Sequence, residues 1–233
     1  MRFLKILCLF VATTAFSQEK PPVTVQDTTF FTRVDSLYRE DQFYFSVTYN
    51  LLQHKPPGVA LNGFSTGIGL GFLRDMPVNR KRTRAIAAGL GISYNKYHNN
   101  LQVTEAGGGY NYAILEDVSY SKNKLEQLFL DLPIELRWRN STPESHKFYR
   151  VYLGFKLRYL LLNKTKFVGD ETIVVLKNKD FNSFQIGPYL ATGFNTWNFH
   201  VYYGLTPLFK SAQLNGKSID MRTLNFGLMF YIL

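Results

Sequence analysis

Of the 233 residues only one is a cysteine, Cys8. It lies in the opening stretch "MRFLKILCLFVATTAFSQ", where Arg2 and Lys5 precede an apolar run from Ile6 to Ala12 and small residues lead up to Gln18. That order is the pattern of a secretory leader, residues 1–17, with cleavage expected after Ser17. Leu7 occupies the position where a lipoprotein cysteine has a small residue before it, so Cys8 is not expected to carry lipid. The mature chain should then have no thiol, no disulfide and no cysteine-based metal site. Beyond the leader no run is apolar for the roughly 18 residues that a membrane helix needs. The four histidines, His54, His98, His146 and His200, have no ligand-like spacing, so no metal and no cofactor are expected. "EAGGGYNY", Glu105 to Tyr112, is rich in glycine but lacks the lysine and following helix of a phosphate loop, and reads as a flexible surface loop.

What the chain has in quantity is aromatic residues, 15 Tyr and 20 Phe, together with 17 Gly, a mixture that favours strands over helices. Its net charge of +10 suits anionic partners such as phosphorylated lipid headgroups, while export argues against nucleic acid. Residues 18–42 mix proline, threonine and charge without a period and read as a tail with at most a short helix near Phe30 to Tyr38. Regular alternation begins at Phe43. From there apolar positions step by two through eight runs, which start at Phe43, Phe64, Ile86, Leu128, Val151, Phe184, Trp197 and Leu224.

"LFLDLPIELRWRN", Leu128 to Asn140, carries the pattern most clearly. Successive strand side chains point to opposite faces, so Leu128, Leu130, Leu132, Ile134, Leu136 and Trp138 share one face, and Asp131, Glu135, Arg137 and Arg139 share the other. Connections alternate between long stretches (Leu52 to Leu61, Lys96 to Lys124, Asn163 to Asp180, Lys210 to Asp220) and short turns near Met76, near Pro143 and at Asn195 and Thr196. Together these features predict an all-β, antiparallel, up-and-down barrel of about eight strands over residues 43–233.

A soluble lipocalin-like barrel would point its apolar face inward. Near-spanning strand lengths, alternating loop lengths and a last strand on "LNFGLMFYIL" favour instead a transmembrane barrel of the outer-membrane type. In hydrocarbon every backbone group must be paired within the protein, which a closed barrel achieves. The apolar face should then meet lipid, with Trp138, Tyr159, Tyr94, Phe209 and Trp197 in the aromatic girdles. Asp131, Glu135, Arg137 and Arg139 should meet Arg150, Lys156 and Arg158 across the lumen as a paired charge network, giving a plugged barrel rather than an open pore.

Candidate chemistry is sparse. "GFSTG", Gly63 to Gly67, matches a nucleophile elbow only formally, because Ser65 falls within a strand pattern with no helix after it. His200 should point into the lumen, where a hydrogen-bonded structural role competes with a catalytic one of the kind lipid-modifying barrels use. Asp131 and Glu135 are separated by about 13 Å along one strand, too far for a paired-carboxylate mechanism. "NRKRTR" places Arg80, Lys81, Arg82 and Arg84 in a turn expected to face the periplasm, where it would meet anionic headgroups or an acidic partner. No catalytic residue is expected.

The chain resembles the PorT-like outer-membrane β-barrel proteins of Bacteroidota from Phe43 onward. The likeness is carried by "RAIAAGLGISYNKYH", by "LFLDLPIELRWR" followed by "KFYRVYLGFKLRYLL", and by "FQIGPYLATGFNTWNFHVYYGLTPLF". The resemblance implies an integral outer-membrane barrel without enzymatic activity, and a part in type IX protein secretion, which also supports gliding, or in a related assembly machine. Outer-membrane lipids, lipopolysaccharide and other secretion proteins would be its partners. A free-standing structural or adhesive barrel and a lipid-modifying enzyme are the other two readings of the same residues.

Overall fold

Alternation with a period of two becomes strand after strand in the computed structural model, which describes residues 41–116, 118–140 and 148–232. The expected leader and nearly all of the expected tail lie outside the described residues. In chain order the strands are β1 (Gln42–Gln53), β2 (Thr66–Pro77), β3 (Arg84–His98), β4 (Leu101–Ala106), β5 (Gly109–Ile114), β6 (Lys122–Arg139) and β7 (Tyr149–Val168). They continue with β8 (Thr172–Leu176), β9 (Phe184–Phe194), β10 (Trp197–Tyr203), β11 (Gln213–Leu214), β12 (Lys217–Ser218) and β13 (Arg222–Ile232).

Eight of these close an antiparallel barrel in the order β1, β2, β3, β6, β7, β9, β10, β13, with β13 pairing back to β1 and β6 to β7. Closure leaves no strand edge in the ring, which is what allows a sheet to sit in hydrocarbon. The first and last barrel strands begin and end at the same rim as the short turns; the four long connections gather at the other. β4–β5 and β11–β12 are hairpins within two of those long connections, and β8 extends the wall beside the upper part of β7.

The pleat sorts the side chains as the pattern requires. On β6 Leu130, Leu132, Ile134, Leu136 and Trp138 are exposed outward, while Asp131, Glu135, Arg137 and Arg139 are buried in the lumen. Outward apolar positions from Leu128 to Trp138 cover about 33 Å of strand. At the tilt usual for such barrels this projects to about 25 Å, the height of an outer-membrane apolar band. Ring pairs bound the belt: Tyr149–Phe194 and Trp197–Phe230 at the short-turn side, Tyr159–Phe184 and Tyr49–Phe64 at the other. Phe209 departs from the expected girdle. β10 stops at Tyr203, and Phe209 is buried in the long connection that follows, 4.3 Å from the Phe181 ring.

Two local features set the wall. Gly71 and Gly91 lie under the Tyr44 side chain, where a Cβ on Gly91 would come within 2.0 Å of the tyrosine oxygen, so these positions must be bare for the ring to fill the lumen. The pairing of β3 with β6 skips Gly89 and Leu90 opposite Leu132 and Pro133. Pro133 has no N–H to give, and its place in mid-strand costs that seam a ladder bond.

Candidate functional site: a filled lumen between two unlike rims

Near the short-turn rim the lumen holds a connected ionic cluster. Asp75 of β2 accepts from Arg137 Nη1 at 2.9 Å and from both terminal nitrogens of Arg139 at 2.9 and 2.8 Å. Arg137 Nε donates to Glu135 at 2.7 Å, and the other oxygen of Glu135 accepts from the hydroxyls of Tyr189 and Tyr231 at 2.7 and 2.9 Å. Every acidic oxygen in the cluster therefore has a donor, the condition under which buried charge is tolerable. Arg150 sits apart. It makes no ion pair among the described residues and lies instead over the rings of Phe148 and Tyr231, at 4.5 and 5.3 Å.

Midway along the axis Asp131 lies 3.3 Å from Arg158 Nε and 3.8 Å from Lys156 Nζ, and Arg158 also donates to Ser93 at 2.9 Å and covers the Phe129 ring at 4.0 Å. His200 is buried beside Tyr189. A cavity of about 20 Å³ among Ser46, Thr48, Asn95, Lys156, His200 and Asn225 has room for one or two waters and no substrate. Above it the side-chain amides of Asn50 and Asn225 both donate to Asn95, at 3.1 and 3.2 Å.

The long-loop rim is closed differently. Val59, Leu101, Phe181, Leu208, Leu214, Ile219 and Met221 come from all four long connections and bury themselves over Leu52, Tyr97 and Leu125 of the barrel. Asparagines tie the loops to this cap: Asn123 donates to the carbonyls of Asn99 and Leu101, and Asn182 to those of Pro207 and Phe209. Tyr112 on β5 donates to Asp180 at 3.0 Å; burial first, then that carboxylate, pushes its hydroxyl above the ordinary range, against the opposing Asn178 amide. "EAGGGYNY" is thus not a flexible loop. It is the end of β4, the turn and most of β5 in the β4–β5 hairpin, with Gly107 and Gly108 supplying the positive φ the turn needs.

Sequence-derived site residues separate into those the fold joins and those it does not. Asp131 meets Lys156 and Arg158 across the β6–β7 pair, but Arg137 and Arg139 turn away from β7 toward Asp75. Arg139 stands opposite Arg150 in the ladder, and among the described residues no carboxylate is shared between them. Ser65 lies just before β2 rather than within it; it is buried, and its hydroxyl accepts from the backbone N–H of His98. Of the basic turn, Arg80, Lys81 and Arg84 are exposed, whereas Arg82 turns its carbonyl to Arg139 Nε at 3.0 Å. Asp75 is the residue that sequence reasoning missed. Its parity with Gly67, Gly69 and Gly71 placed it on the lumenal face, and that was the available signal.

Among the described residues, side chains occupy the lumen from the Asp75 cluster to the apolar cap, and the cavity beside His200 is of water size. What remains for interaction is the wall, the rims and the loop tips. A family model described as an outer membrane protein beta-barrel domain matches residues 16–210. Among solved structures, the attachment invasion locus protein Ail of Yersinia pestis is similar at 12% identity and a TM-score of 0.38, over 83% of this chain and 97% of that one. Ail in complex with the heparin analogue sucrose octasulfate is similar at 13% identity and a TM-score of 0.34, over 82% and 98%. No curated protein matches the chain.

Proposed function

The chain belongs to the outer membrane protein β-barrel domain family, and from that premise we propose that it is a non-enzymatic, PorT-like scaffold subunit of type IX protein secretion or a related outer-membrane machine. The short-turn rim, with the chain's tail, would face the periplasm, and the long loops would face outward. One observation carries the reading: side chains fill the lumen from the Asp75 cluster to the apolar cap, so the barrel offers surfaces and not a conduit or a reaction chamber. A scaffold needs just such surfaces on both sides of a membrane. The exposed Arg80, Lys81 and Arg84 of the turn supply a basic contact for an acidic periplasmic partner.

The test is affinity purification of the tagged chain from outer membranes in mild detergent, with mass spectrometry of what accompanies it, beside a secretion assay on the deletion strain. Stoichiometric recovery of a secretion translocon and loss of secretion are expected; a lone barrel with unchanged secretion overturns the proposal. A second reading, a surface-binding barrel, draws on a groove of about 300 Å³ between loop tips, lined by His54, Lys55, Pro56, Lys217 and Asp220. Altered adhesion without a secretion defect would favour it.

A further inference from the structure

We propose that the outward faces of β3, β6 and β7, just beyond the apolar belt on the long-loop side, bind the phosphorylated saccharide headgroup of an outer-leaflet glycolipid. This rests on the reading that the barrel spans the outer membrane with its long loops outside. The outward positions that follow Tyr94 on β3, Leu128 on β6 and Leu162 on β7 are Lys96, Lys122, Lys124, Lys164 and Lys166, with Glu126 among them.

Their register stabilises the sheet at one level only: Glu126 stands opposite Lys96 on β3 and Lys164 on β7, and among the described residues no second carboxylate answers the next pair out. Lys124 stands directly opposite Lys166, and like charges so placed on neighbouring strands repel. Glu126 is the one carboxylate in the patch, and it already accepts from Lys124 Nζ and Tyr94 OH, both at 2.6 Å. Lys96, Lys122, Lys164 and Lys166 make no ion pair among the described residues. His98 feels the field: partial burial first, then Lys96, Lys124 and Lys122, hold its imidazole below the ordinary range.

Size selects the ligand. Strands are spaced by about 4.8 Å and alternate residues by about 7 Å, so the patch across β3 to β7, from Lys122 to Glu126 along β6, covers about 10 by 13 Å. That area accommodates two phosphates on one sugar headgroup better than the single phosphate of a glycerophospholipid. Beneath it an open groove of about 540 Å³ runs down the wall between Leu130, Leu157, Tyr159, Phe184 and Ile186. An acyl chain hanging from a bound headgroup would lie there, so patch and groove together match an amphiphile.

The test uses the full chain in detergent and three probes: bisphosphorylated lipid A, the same lipid dephosphorylated, and soluble glucosamine phosphate. The triple variant Lys96→Gln/Lys124→Gln/Lys166→Gln is compared with Lys55→Gln/Lys210→Gln/Lys217→Gln, which removes equal charge at the loop tips. Bisphosphorylated lipid A is expected to bind the parent and the loop-tip variant at least about tenfold more tightly than either other probe, and the triple variant is expected to lose that preference. In lipid-free detergent the triple variant should melt close to the parent, because relief of the Lys124–Lys166 repulsion offsets the lost Lys124–Glu126 ion pair; this separates lost binding from lost folding. Equal binding by parent and triple variant overturns the proposal, and so does glucosamine phosphate binding as tightly as the lipid. Neither result touches the scaffold role, which is read from secretion and co-purification.

Discussion

At the short-turn mouth Asp75 and Glu135 hold Arg137 and Arg139 through hydrogen bonds of 2.7–2.9 Å; at the long-loop mouth Leu208, Phe181, Ile219 and their neighbours meet without a charge in the cluster. The ionic end is built on strands, which fix a few atoms in register and let two acids serve two guanidinium groups. The apolar end is built from connections: three of them give one buried side chain each, Val59, Leu101 and Phe181, and the last gives Leu208, Phe209, Ala212, Leu214, Ile219 and Met221. Removing one partner from the first leaves a charge stranded in a low dielectric; removing one from the second leaves a hole that loops can settle around. Breaking the ionic end should therefore disturb the barrel as a whole, and breaking the cap should loosen loops on an intact barrel.

The largest effect is expected from Asp75→Ala, which strips Arg137 and Arg139 of their shared acid and should cost about 3–5 kcal/mol in urea unfolding of the detergent-embedded barrel. A loss under 1 kcal/mol would mean that the cluster is hydrated and the contrast false. Next, Leu208→Ala should cost about 3 kcal/mol, felt in the cap. Hydrogen exchange should quicken in residues 99–121 and 204–221 while the barrel strands stay protected; uniform quickening would join the two ends into one cooperative unit. Gly107→Ala, at a φ of 61°, should cost about 1–2 kcal/mol through backbone strain in the β4–β5 turn, read as faster exchange in that hairpin alone. Smallest, and opposite in sign, Pro133→Val in the wall between the ends should add about 1 kcal/mol by restoring a ladder donor toward β3.

The ionic end was partly legible in the sequence. Alternation on "LFLDLPIELRWRN" put Asp131, Glu135, Arg137 and Arg139 on one face because parity along a strand is local information. Which acid meets which base is not local: Asp75 reaches Arg137 and Arg139 although the β3 strand stands between their own, because the shear of a closed barrel decides what faces what across the lumen. Arg150 was assigned to a charge network and found rings instead, for the same reason. The cap was almost illegible. Phe181 and Ile219 stand singly among polar residues, with no period to mark them. The β4–β5 hairpin did carry a signal, alternation on both sides of "GGG", but glycine was weighed as flexibility and not as the positive φ of a turn.

One more property follows from strand length. β6 and β7 run for 18 and 20 residues, whereas β10, separated from β7 by β9 alone, has 7. A cylinder of even height presents the same profile from every direction in the membrane plane. This one has a compass bearing: a tall basic screen at β6 and β7, and a low rim two strands further round at β10. A neighbour arriving by lateral diffusion meets a different molecule at each angle, and repeated encounters can select a single orientation before any loop is touched.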